Sequence, residues 1–238
     1  MKKDNFELFI ALRYLLFKRK QILISIVSII SILGVAIGVA TLIVVLSVMN
    51  GFSFTLKERI LGINPHIIVL RYDGYAIKNY KSVMEKIKTL PSIKGVAPFI
   101  YTQAMLVSER NISGVILRAI DPFMEKKVTS IENRMLFGSI EILSSDENYI
   151  ILGKELANTL RVIPGDKVNL VSPFGEISPF GEMPKNIKFK VVGIFDTGIY
   201  DYDSSIVFIS LKSAKKIIGM KEGVTGIEVK IKNIYKAN

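Results

Sequence analysis

Few residues in this chain have the type and spacing to make or break bonds. The only histidine, His66, opens an apolar run with no fixed partner nearby and reads as structural. Asp196, Asp201 and Asp203 put three carboxylates into one short stretch, an oxygen set that suits a hard cation. They lack the EF-hand spacing, and a solvated loop is the simpler reading. The chain has no Cys, so it has no disulfide, thiolate-held metal or thiol nucleophile. It has no G-x-x-x-x-G-K-[ST], no G-x-S-x-G and no H-E-x-x-H. The residue set argues against an enzyme and calls for no metal and no cofactor.

Recognition chemistry is better represented. Residues 172–184 read SPFGEISPFGEMP, with Pro173, Pro179 and Pro184 beside Gly175 and Gly181. Proline fixes φ and lacks an N–H donor, so this stretch suits neither a regular helix nor a central strand. It nevertheless keeps Phe174, Ile177, Phe180 and Met183. A stiff loop carrying apolar side chains binds with a small ordering cost. Two readings follow: the side chains fold back onto their own domain, or the loop protrudes and offers them to a partner. Lys185, Lys188 and Lys190 follow the loop directly.

The elements that must carry this loop divide by composition. Of 238 residues, 32 are Lys or Arg and 21 are Asp or Glu, a formal net charge of +11. Residues 1–20 hold six basic and two acidic side chains, and residues 21–56 hold no charge at all. Beyond them no basic run exceeds two residues, so the positive balance does not make a nucleic-acid surface. Residues 22–49 form an uncharged apolar run that as a helix would reach roughly 42 Å, enough to cross a hydrocarbon core. We therefore expect a transmembrane helix over 21–50. Lys18, Arg19 and Lys20 precede it, which places that side in the cytoplasm by the positive-inside rule. Gly38-Val39-Ala40 resembles a signal-cleavage site, but the run is too long for a signal peptide. Ser25, Ser28, Ser31, Gly34 and Gly38 form a small-residue stripe, and Gly34 and Gly38 would let another helix pack closely. Phe6, Leu8, Phe9, Leu12, Leu15, Leu16 and Phe17 recur at helical spacing, predicting an interfacial amphipathic helix over 1–20.

Residues 51–238 predict a mixed domain. Strands are expected over 66–70, 96–107, 112–120, 149–152, 168–171, 189–195, 206–209 and 224–231. Helices are expected over 80–90, 155–160 and 211–218, with a short one opened by Asp121-Pro122. The order implies an α+β fold, one N-terminal transmembrane helix followed by a two-lobed mixed α/β domain.

Several stretches, in order, resemble the LolC/LolE family of lipoprotein-releasing ABC transporter permeases. They are residues 8–15 (LFIALRYL), 45–52 (VLSVMNGF), 59–62 (RILG) and 65–66 (PH). They continue through 117–122 (LRAIDP), 150–157 (IILGKELA), 165–168 (GDKV), 178–184 (SPFGEMP), 195–203 (FDTGIYDYD) and 224–227 (VTGI). The resemblance covers nearly the whole chain. It implies a MacB-like periplasmic domain of two lobes, with three further spans beyond it.

The resemblance also implies a non-catalytic inner-membrane subunit with its N-terminus in the cytoplasm. Its partners would be cytoplasmic ABC ATPase subunits, a second permease subunit, a periplasmic LolA-like lipoprotein carrier, the lipoprotein cargo and membrane lipid. No nucleic acid is implied. A carrier-binding hook maps to Pro173, Phe174, Ile177, Pro179, Phe180, Gly181, Met183 and Pro184. Val45, Val48 and Met49 would face lipid or end the acyl-chain cavity. The alternative is a MacB-like efflux or FtsX-like permease subunit with a different periplasmic partner.

Overall fold

The computed structural model describes residues 6–7, 9–10, 13, 22–145, 148–178 and 181–233. The chain divides into two compact units, Met1–Lys57 and Glu58–Asn238. In the first, the described residues before the span are helical, and Phe6, Phe9 and Ile10 are exposed. The rest of the expected interfacial helix lies outside the described residues.

Helix α1 (Ile22–Ile63) is longer than the expected 21–50 span. Gly51 alone does not stop it, because a single glycine costs a helix only about 1 kcal/mol. The stop comes at Asn64-Pro65, where the residue before proline is pushed out of the α region. Within it, Ile26–Lys57 is long and apolar enough to cross a membrane. Thr41 Oγ1 donates to the Ile37 carbonyl at 2.8 Å, and Thr55 Oγ1 to the Gly51 carbonyl at 3.0 Å. These back-bonds satisfy hydroxyls that lipid could not.

In the second unit the strands are β1 (Ile67–Leu70), β2 (Ile93–Val107), β3 (Ile112–Ile120), β4 (Met135–Phe137) and β5 (Tyr149–Gly153). They continue with β6 (Lys167–Ser178), β7 (Gly181–Phe195), β8 (Ile206–Ser210) and β9 (Gly226–Ile231). All nine join one sheet in the order β1-β9-β2-β3-β8-β5-β7-β4, with β6 paired to β2 and β7. β3 runs parallel to β8 and β5 parallel to β7; the other pairs are antiparallel. The sheet is continuous, and the buried side chains group into three clusters.

The helices are α2 (Tyr80–Lys88), α3 (Pro122–Glu125), α4 (Lys154–Leu160), α5 (Tyr200–Ser205) and α6 (Leu211–Ile218). Local chemistry sets their ends. Asp121 caps α3 by accepting from the N–H groups of Phe123 and Met124, with Pro122 at the first helical position. Ser210 caps α6 at its start, and Gly219 closes it with φ +68°. α4 lays Leu156, Ala157 and Leu160 into the largest cluster, beside Leu117, Ile150 and Val207. α2 packs Met84 against Val96, Ile227 and Val229. Near the start of the unit, the N–H and Oγ of Ser130 both donate to the Gly62 carbonyl, at 2.9 and 2.8 Å. This satisfies one of the carbonyls left open at the end of α1.

Candidate functional site

The segment 172–184 is not an irregular loop. β6 first pairs with β2, from Asn169↔Val107 to Val171↔Met105. It then leaves that strand and pairs with β7 out to Ser178↔Gly181. β7 reaches its other neighbour, β5, only from Lys190 onward. From Ser172 outward the two arms pair only with each other among the described residues, a ribbon up to roughly 20 Å long. The prolines exclude a regular helix and a central strand, and this two-stranded ribbon is neither. The ladder accommodates two of them at an irregularity: between Ser172↔Lys185 and Glu176↔Met183, residues Pro173, Phe174 and Gly175 lie opposite Pro184 alone. A proline without an N–H is tolerated where the ladder is already interrupted. Ile177 pairs in register with Glu182. Pro179 and Phe180, at the tip, lie outside the described residues, as does the expected exposure of the ribbon's aromatic side chains.

Two surfaces flank the base of this ribbon. One is a basic depression of about 440 Å³ lined by Asn148, Tyr149, Lys167, Lys188, Phe189, Lys190 and Lys216. Among the described residues no acidic side chain lines it, and its four lysines are exposed. Lys167 stands opposite Lys190 in the ladder, so their side chains share a face. Lys185 reaches the Lys216 carbonyl at 3.5 Å, tying the base of the ribbon to α6. Sequence reasoning found Lys185, Lys188 and Lys190 but missed Lys167 and Lys216. The hairpin register and the packing of α6 supply those two. The other surface is an apolar depression of about 570 Å³ lined by Gln103, Ala104, Met105, Gly114, Val115, Ile116 and Val171. Val171 is the last residue of β6 to pair with β2 before the ribbon departs.

The acidic stretch that suggested a cation organises a loop instead. The Asp203 carboxylate is buried and accepts from the Thr197 N–H and Oγ1 and from the Gly198 N–H. Asp196 accepts from Lys154 Nζ at 3.0 Å, and that ammonium holds its carboxyl below the usual range. Burial pushes the Asp203 carboxyl up. Among the described residues no group of three His, Cys, Asp or Glu side chains is placed to hold a metal. His66 serves the sheet through its backbone, whose N–H donates to the Val229 carbonyl at 3.1 Å.

On α1, Gly34, Gly38, Val45, Val48 and Met49 fall within an arc of roughly 100°. All five are exposed, and a Cβ built on either glycine meets nothing within 4 Å. The glycine pair and the three apolar residues thus form one stripe along one face of the helix.

These features define a membrane-anchored protein with a mixed α/β domain outside the membrane. The chain belongs to the family of the MacB-like periplasmic core domain, whose model matches residues 28–235. It is 34% identical over 227 residues to the lipoprotein-releasing system transmembrane protein LolC of Neisseria meningitidis serogroup B, covering 95% of this chain and 54% of that protein. It is 36% identical over 228 residues to LolC of Xylella fastidiosa strain Temecula1, covering 96% of this chain and 54% of that protein. The chain thus spans about half the length of the curated relatives it matches. Among solved structures, the extracellular domain of the ABC-type transporter YknZ from Gram-positive bacteria aligns with a TM-score of 0.45 and 14% identity. That alignment covers 70% of this chain and 82% of that one.

Proposed function

We propose that this chain is the N-terminal part of a membrane subunit in an ABC-type system that releases lipoproteins from the inner membrane and passes them to a periplasmic carrier. The similarity to LolC along 95% of the chain carries this reading. In it the N-terminus is cytoplasmic, α1 crosses the inner membrane and the mixed domain lies in the periplasm. The basic flank Lys18-Arg19-Lys20 before the uncharged run supports that orientation. The subunit is non-catalytic: separate cytoplasmic ABC subunits hydrolyse ATP, and a second permease subunit completes the membrane part.

The 172–184 ribbon is the docking arm for the carrier. Its support is that, among the described residues, its strands pair only with each other from Ser172 outward, and the two surfaces near its base. An apolar depression and a lysine-lined one on the same domain suit a partner that carries both apolar and acidic side chains. The glycine stripe on α1 is the packing face for another span, and Val45, Val48 and Met49 border the acyl chains of the cargo.

Photocrosslinking from position 180, with all transporter subunits expressed, tests the assignment. The expected product is an adduct with a soluble lipoprotein carrier. A folded, membrane-inserted protein that yields no such adduct overturns the docking role of the ribbon.

A further inference from the structure

The core of the second unit holds a cluster of charge that the docking surfaces do not use. Arg118, on β3, places Nη2 2.8 Å from Glu125 Oε1 on α3 and 2.5 Å from Glu228 Oε2 on β9. Its Nη1 donates to the Tyr202 hydroxyl on α5 at 3.0 Å. The guanidinium lies 5.5 Å from the centre of the Phe208 ring. Arg118, Glu125 and Glu228 are 4%, 0% and 3% exposed. Five elements, β3, α3, α5, β8 and β9, therefore meet around one side chain.

The charges in this cluster do not balance. One guanidinium faces two carboxyl groups, so the cluster is net negative when both are ionised. Burying an uncompensated charge costs several kcal/mol. The arginine cannot relieve this, because it does not deprotonate in proteins. A proton on one carboxyl does. Glu125 accepts at Oε1 from both Arg118 and Thr129 Oγ1, the latter at 2.8 Å, and its buried Oε2 has no hydrogen-bond partner among the described residues. Glu228 accepts from Arg118, and no second donor to it is described. With one donor against two, the ionised form of Glu228 is the less stabilised, and we assign the proton to it.

We propose that the Arg118–Glu125–Glu228 cluster is a proton-dependent tie between β9 and the β3–α3 segment, stabilising the fold most while Glu228 is neutral, because its ionisation leaves a surplus negative charge buried in the core. Burial pushes the Glu228 carboxyl up to about 7, against the pull of Arg118. Burial likewise pushes the Tyr202 hydroxyl up to about 12, so it stays protonated across the same window. The strands beside β9 place Ile68 and Ala97 opposite Glu228, neither of them titratable. α2 packs through Met84 against the neighbouring Ile227 and Val229. Lys230, two residues along β9, is lowered by its own burial and by the charge of Lys94.

The sign follows from proton counting. The folded chain binds this proton more tightly than the unfolded chain, whose glutamate titrates near 4.5. Stability therefore falls as pH rises from about 4.5 to about 7, and this contribution is flat above that.

Thermal unfolding of the full chain in detergent micelles, between pH 5.5 and 8.5, tests the tie. The wild-type midpoint should fall by roughly 5 °C across that range. Glu228→Gln keeps the hydrogen bond without the charge, and should remove that fall. Equal pH dependence in the two proteins overturns the proposal. If Glu228→Gln does not fold, infrared spectroscopy of wild-type protein carrying isotope-labelled glutamate decides. A glutamic-acid carbonyl band that vanishes as pH rises through about 7 sustains the tie. Absence of that band at pH 6 overturns it.

Discussion

Phe208 shows how one side chain serves packing and charge together. It is fully buried, meets Phe195 edge-on with ring centroids 5.3 Å apart, and lies beneath the Arg118 guanidinium. Such a ring contributes more than its buried area, because its face attracts the cation. Phe208→Ala should cost about 3–5 kcal/mol. Chemical denaturation should show this as a lower midpoint. Asp203 plays a comparable polar role, drawing the backbone of Thr197 and Gly198 around one carboxylate. This is why Asp196 and Asp203, which could suggest a cation in the sequence, serve as loop chemistry in the fold. The lysines at the base of the ribbon are a different case. Their exposure means that they contribute little to stability and are available to an acidic partner.

At the scale of elements, the ribbon and α1 share one property: each continues past the point where its sequence seems to stop it. α1 runs through Gly51 because only a proline further on removes the α region for its predecessor. The ribbon pairs through a proline-rich stretch because Pro173 and Pro184 sit where the ladder is already interrupted. Since from Ser172 outward the two strands pair only with each other among the described residues, the ribbon should be dispensable for folding. Replacing residues 173–184 by Asn-Gly joins Ser172 to Lys185 through a tight turn that suits a two-residue hairpin. The unfolding midpoint should change by less than about 1 kcal/mol equivalent. Co-purification of the lipoprotein carrier should be lost. A large loss of stability would mean that the ribbon belongs to the core.

For the whole molecule, the two units imply separable folding. The second unit contains all nine strands, the three core clusters and the cap that Ser130 places on Gly62. A protein comprising residues 58–238 should therefore be soluble and fold cooperatively without the span. Circular dichroism would check this through a sigmoidal melt, and an aggregated or non-cooperative product would refute it. The uncharged residues 26–56 have no comparable core of their own, and a lipid environment is what satisfies them.

The sequence by itself determined what is local. Apolar period and charge placed β2, β3, β8, α4 and α6 close to their observed limits, because each element's preference is written within its own few residues. The ordered motifs from residue 8 to residue 227 pointed to the family before any coordinates did. Tertiary structure decided what depends on register between distant segments. Arg118 and Glu228 are 110 positions apart and meet only because β9 pairs with β2, which in turn pairs with β3. Lys167 joins Lys190 only once β6 and β7 align, and β4 forms only as an edge beside β7. Strand register is fixed by which faces can be buried together, a property of the assembled sheet and not of any one stretch of chain.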